Sequence, residues 1–132
     1  MLEQGLRVGS IGEAITTVTS NETAITLGSG SVNVYGSPAM VALMEAATVS
    51  AVDPYLTDGR VSIGMDIAVR HVSPTPIGEQ ITAIAEITRI DGKRVTLEVR
   101  AWDEHDLIGI GTIVRYLVNY DEFSRRVERS KA

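Results

Sequence analysis

A carboxylate sits in this chain where burial would be unfavourable. In the run SPAMVALMEAATVSAVDPYL, residues 37–56, Glu45 lies among Met40, Val41, Leu43, Met44, Ala47 and Val49. A buried, unpaired carboxylate loses its hydration with nothing in return, so the group must be paired, neutral or exposed. A structural reading gives it an arginine partner or a place on an exposed stripe. A functional reading makes it an acid, base or nucleophile facing an enclosed site.

Other residues supply partners. His71 extends the apolar side of a long alternating strand, so it points toward the layer that the helix should cover. A carboxylate with an imidazole can deprotonate water or polarise a carbonyl. Ser37 offers a hydroxyl, with helix N-cap as its structural reading. Eight residues separate it from Glu45, about 12 Å along a regular helix, so an imidazole or a water would have to bridge them. Arg115, in GIGTIVRYLVN, is a cation in an apolar strand, able to pair with a carboxylate or meet a phosphate. Gly64 interrupts a strand, where glycine often marks a bulge or a close ligand. His105 lies in a polar turn and reads as solvated. The GIG at Gly109–Gly111 lacks the strand–turn–helix setting of a dinucleotide motif. Two histidines without suitably spaced carboxylates make a poor ligand set, so no metal is expected.

The composition narrows the classes. A length of 132 residues fits a single domain over 1–132. The net charge of −5 argues against a nucleic-acid partner, which normally needs a basic face. With no cysteine, disulfides, thiolate metal sites and a cysteine nucleophile are excluded. The stretch MLEQGLRVGSIGEA has no apolar core of a signal peptide, and no apolar run approaches membrane-spanning length. The expectation is a cytoplasmic protein with no membrane partner.

The elements that must position these groups follow from periodicity. EAITTVTSNETAITLG reads as two short extended pieces with Asn21 near a turn, and SGSVNVYGS as a loop. Ser37-Pro38 opens a helix that stops near Asp53-Pro54. It is apolar nearly all round, which predicts burial. Beyond Thr57-Asp58-Gly59 the period becomes two. Val61, Ile63, Met65, Ile67 and Val69 fall on one face; Ser62, Gly64, Asp66, Ala68 and Arg70 fall on the other. EQITAIAEITRI, an Asp91-Gly92 turn and KRVTLEVRAWD form a hairpin, and LIGIGTIVRYLVNY follows the turn at Glu104–Asp106. DEFSRRVERSKA reads as a short polar helix or a frayed end. The architecture is α+β: a curved antiparallel sheet around a central helix, the hotdog arrangement, with a second subunit closing the rest.

YGSPAMVALMEAATVSAVDPYL, VSIGMDIAVRHVSPTPIGEQITAIAEI and DLIGIGTIVRYLV resemble the fluoroacetyl-CoA thioesterase-like branch of the hotdog thioesterases. The likeness runs from about Gly5 to about Arg126, and its most specific elements are LME and HVSPTPIG. It implies a hydroxyl, a carboxylate and an imidazole acting on an acyl-CoA thioester, falling on Ser37, Glu45 and His71. The family's carbonyl-holding glycine falls on Gly64 and its last-strand arginine on Arg115. The fluoroacetyl-specific enzyme has threonine where this chain has Ser37, and phenylalanines in a lid before the helix. Here the lid stretch is TLGSGSVNVYG, whose aromatic is Tyr35, so Tyr35 joins the substrate-binding set and fluoroacetyl selectivity is not carried over.

The resemblance implies hydrolysis of a short-chain acyl-CoA to a carboxylate and free CoA. No cofactor is needed beyond the CoA of the substrate. It also implies a homodimer with interfacial sites, in which dimers can pair into tetramers. Two rivals make different predictions. A non-catalytic acyl-CoA or small-ligand binding module would bind without turnover. A hotdog enoyl-CoA hydratase would release no thiol, and its Asp-x-x-x-x-His spacing is not filled here by a buried pair.

Overall fold

A computed structural model describes residues 5–131. Five strands, β1 (Ile11–Thr17), β2 (Arg60–His71), β3 (Gln80–Asp91), β4 (Arg94–Trp102) and β5 (Leu107–Asn119), form one antiparallel sheet in the order β1-β3-β4-β5-β2. Three helices accompany it: α1 (Ala24–Leu27), α2 (Ser37–Val52) and α3 (Tyr120–Lys131). β3–β4 and β4–β5 are hairpins between sequence neighbours, while β1 and β2 are the sheet edges.

The core is a period-two surface meeting a helix. Ile81, Ala83, Ala85 and Ile87 of β3 and Val95, Leu97, Val99 and Ala101 of β4 are buried in register on the concave face. Met40, Met44, Ala47 and Ala51 of α2 lie against them. Small residues let the helix backbone come close. A Cβ at Gly12 of β1 would overlap the Ala47 carbonyl oxygen and the Ala51 nitrogen, and one at Gly109 of β5 would overlap Met40 and Met44. Burial of α2 is one-sided in this chain: Ala42, Ala46, Val49 and Ser50 remain exposed. No helix among the described residues is long and apolar enough to cross a membrane.

Three local expectations are corrected. The second extended piece in ETAITLG is instead a 3-10 turn over Ser20–Glu22 followed by α1. Thr19 and Thr23 accept from the main-chain N–H groups of Asn21 and Thr26, and this capping outweighs the alternation. Ser37 is not the N-cap of α2: Gly36 holds that position, leaving the Ser37 hydroxyl free for other partners. The third concerns β2. Its register to β5 shifts between Gly64 and Asp66, a bulge that adds one residue and reverses the phase. Ser62 and Gly64 therefore face α2 before the bulge, whereas His71, paired with Gly109, faces it after the bulge. Val61 and Ile63 turn to the outer face instead, so the five apolar residues do not share one side.

Close helix–sheet contact at Gly12 should make any side chain there destabilising. Gly12→Ala is expected to lower unfolding free energy by about 2–3 kcal/mol, measured by denaturant titration. An unchanged midpoint would mean that α2 does not sit on β1 as described.

Candidate active site

Two polar clusters flank α2. In the first, Ser37 at the start of α2 meets His71 at the end of β2, with Oγ 2.7 Å from Nδ1. The His71 Nε2 is buried and has no hydrogen-bond partner among the described residues. Burial lowers the ring's pKa from its ordinary 6.5, against a smaller opposing effect of the Ser73 main chain. The imidazole is thus neutral at pH 7. A neutral ring can accept the Ser37 proton at Nδ1 or donate one there. Beside the pair opens a cavity of about 340 Å³, lined by Ala24, Val34, Tyr35 and Pro74 as well as Ser37 and His71.

The second cluster answers what Glu45 is doing. Its side chain is 34% exposed, and Oε2 lies 3.5 Å from Nη1 of Arg115, whose side chain is 7% exposed. The arginine partner of the structural reading is present: a buried cation stands beside the partly exposed carboxylate. A Cβ at position 64 would lie 2.5 Å from Glu45 Oε2, so only glycine leaves room for the carboxylate there. Arg115 Nη1 also donates to Thr48 Oγ1 (3.3 Å), Nε to Ser62 Oγ (2.7 Å) and Nη2 to the Ser62 carbonyl (3.0 Å). Thr48 Oγ1 donates to the Glu45 carbonyl at 2.6 Å, and the Ser62 hydroxyl makes a short bond to Asp53 Oδ1.

The structure thus joins Ser37 to His71, and Glu45 to Arg115 and Gly64. It does not join the two clusters: among the described residues, no hydrogen bond or ion pair links Glu45 to Ser37 or His71. Tyr35 is buried beside the cavity, its main-chain N–H donating to the Thr75 carbonyl at 2.8 Å. Its phenol is pushed up to about 12, by burial first and by Glu22 second, so it stays neutral. His105 is exposed and pairs with Glu79 at 3.2 Å. Glu79, Asp103 and His105 bring ligand atoms within 4.8 Å of one another. Asp103 already accepts from two main-chain N–H groups and from Thr75, however.

Sequence reasoning missed Thr48, Ser62 and Asp53. Thr48 could have been found, because it lies three residues after Glu45 and so shares its helix face. Ser62 was assigned to the wrong face by the unseen bulge, although it shares the phase of Gly64.

Residues 18–121 match the family model described as fluoroacetyl-CoA-specific thioesterase. The chain belongs to this family. A fluoroacetyl-CoA thioesterase from Streptantibioticus cattleyicolor is 38% identical over 96 residues, which are 73% of this chain and 69% of that protein. Among solved structures, a phenylalanine-to-alanine variant of the fluoroacetyl-CoA-specific thioesterase is 33% identical with a TM-score of 0.88, covering 96% of this chain and 98% of that one. A threonine-to-serine variant in complex with acetyl-CoA is 34% identical with a TM-score of 0.87, covering 96% of this chain and 99% of that one. A thioesterase superfamily member from Thermus thermophilus is 26% identical at a TM-score of 0.89, covering 97% of this chain and 95% of that one. The hotdog fold and the family resemblance read from the sequence both stand.

Because burial depresses the folded-state pKa of His71, the unfolded chain takes up a proton there first as pH falls. Stability should therefore decline as pH drops below 6.5 toward the lowered folded value. His71→Gln should flatten that part of a stability–pH profile obtained from denaturant midpoints. An identical slope in the variant would assign the decline to other groups.

Proposed function

We propose that this protein hydrolyses short-chain acyl-CoA thioesters to a carboxylate and free CoA, with Glu45 as the reacting carboxylate. The observation that carries this reading is the environment of Glu45, clasped by Arg115 against Gly64 yet one-third exposed. Oε2 faces the guanidinium, while Oε1 has no partner among the described residues and can face water or the thioester. It would either deprotonate the attacking water or add to the carbonyl itself. Ser37 and His71 form a neutral donor–acceptor pair suited to the carbonyl oxygen or the leaving thiolate. The Gly64 N–H would meet the oxyanion. The cavity of about 340 Å³ beside Ser37 and Tyr35 suits a short acyl group. Membership of a thioesterase family supports the reaction class.

The reading includes a cytoplasmic homodimer. β2 is a sheet edge, and Gly64 and His71 both lie on it. Two β2 edges pairing antiparallel about Ala68 would bring Gly64 of one subunit opposite His71 of the other, because the bulge at Met65 takes one residue out of the ladder: Asp66 meets Arg70 and Gly64 meets His71. Each site would then combine Glu45, Arg115 and Gly64 from one subunit with Ser37 and His71 from its partner. This explains why the two clusters do not meet in one chain.

Thiol release from acyl-CoAs of increasing length tests the chemistry, and the cysteine-free chain gives a thiol-reactive dye no background. Wild type should turn over a short acyl-CoA, and Glu45→Gln should lose at least about 100-fold in kcat. Equal rates would remove Glu45 from the reaction, and no release on any substrate would favour a binding module. Shared sites predict complementation: unfolding and refolding a mixture of Glu45→Gln and His71→Gln should restore about a quarter of wild-type activity, from the one intact site of each mixed dimer. No recovery would place each site within one subunit.

A further inference from the structure

We propose that Ser62 and Asp53 are positioning residues for Glu45: Asp53 orients the Ser62 hydroxyl, and Ser62 fixes the Arg115 guanidinium that clasps the carboxylate. The proposal rests on the thioesterase reading of Glu45.

Hydrogen-bond directions carry the argument. Arg115 can only donate. Its shortest contact is Nε to Ser62 Oγ at 2.7 Å, with Nη2 to the Ser62 carbonyl at 3.0 Å, whereas Nη1 reaches Glu45 at 3.5 Å. The guanidinium is planar and rigid, so two bonds from Nε and Nη2 to one residue fix its plane and aim Nη1. The Ser62 hydroxyl can accept from Arg115 only if its own proton points elsewhere. Asp53 is the acceptor for that proton, through Oδ1, while Oδ2 receives the Ser62 main-chain N–H at 3.4 Å. Both Asp53 oxygens are thus engaged by a single serine, itself 7% exposed. Without Asp53, the hydroxyl proton would be free to turn toward the guanidinium and compete with Nε.

The α2 helix does not account for Asp53. It is the C-cap of α2, where a negative charge opposes the helix dipole, and the last turn carries no basic residue. Its carboxylate is explained by the Ser62–Arg115 arrangement instead. Asp53 lies about two turns beyond Glu45 on the same chain segment, so the link ties the far end of the helix to the reacting group.

The test uses Asp53→Ala, Asp53→Asn and Ser62→Ala with two readouts. One is kcat and KM for thiol release from the best acyl-CoA substrate. The other is the Nε–H nuclear magnetic resonance signal of Arg115, assigned by its loss in Arg115→Lys. Asp53→Ala and Ser62→Ala should each lower kcat about tenfold while KM stays within about twofold. The Arg115 Nε–H signal should shift and exchange faster in both. Asparagine retains an oxygen acceptor, so Asp53→Asn should keep kcat within about threefold of wild type. A purely structural role would lower the melting temperature in step with kcat and would not spare KM. Wild-type kcat and an unmoved Nε–H signal in Asp53→Ala would overturn the proposal, as would an Asp53→Asn enzyme as impaired as Asp53→Ala. A wild type that releases no thiol, while the signal still shifts in Asp53→Ala, would instead overturn the thioesterase reading and leave the Asp53–Ser62–Arg115 link standing.

Discussion

A buried guanidinium is the constraint around which the site is organised. Arg115 lies in the middle of β5 and is 6% exposed. An ion removed from water must recover its solvation from fixed acceptors, and an incomplete set would be strongly destabilising. Those acceptors are three residues on two elements: Ser62 on the neighbouring strand, and Thr48 and Glu45 on the crossing helix. Helix and edge strand must keep their alignment for the set to close. Glu45, the proposed reacting carboxylate, is then held by the same contacts that make the buried cation tolerable.

The bulge in β2 lets one strand serve both clusters. Without it, Ser62, Gly64 and His71 could not all face the helix, since an even–odd step separates the first two from the third. With one residue added between Gly64 and Asp66, the strand presents Ser62 and Gly64 to Arg115 and Glu45, then presents His71 to Ser37. The outer-face positions of Val61 and Ile63 follow from the same shift. Together with Tyr116 of β5 and Phe123 of α3, Ile63 lines a hollow of about 510 Å³ on the outer surface.

This division explains what could be read from the sequence. The helix, the hairpins and the faces of β4 and of β3 as far as Ile87 were legible because their alternation is uninterrupted there and each apolar face has one burial partner. Glu45, His71 and Arg115 stood out because each is an ionisable group in an apolar segment. The bulge was illegible because Met65 and Ile67 continue the apolar alternation straight through it. The role of Ser37 was obscured by Pro38, which makes a serine N-cap so plausible; the cap went instead to Gly36, whose main-chain N–H donates to Glu22 at 2.8 Å. The local capping of Thr19 and Thr23 hid the helical turn of α1 in the same way. Hydroxyls can satisfy nearby main chain or distant side chains, and sequence spacing alone does not choose between them.

Partial exposure of Glu45 completes the logic. A carboxylate buried with its arginine on all sides would be well paired and chemically idle, because no lone pair could reach substrate. A fully solvated one would be reactive in principle but held in no orientation, and effective catalysis needs reacting atoms placed near their attack geometry. Glu45 lies between these limits. Arg115 engages one oxygen from below, Gly64 removes the side chain that would push it aside, and the other oxygen has no protein partner among the described residues. The glycine complements the arginine: the cation supplies attraction, and the missing Cβ lets the carboxylate lie against the strand without being pushed aside.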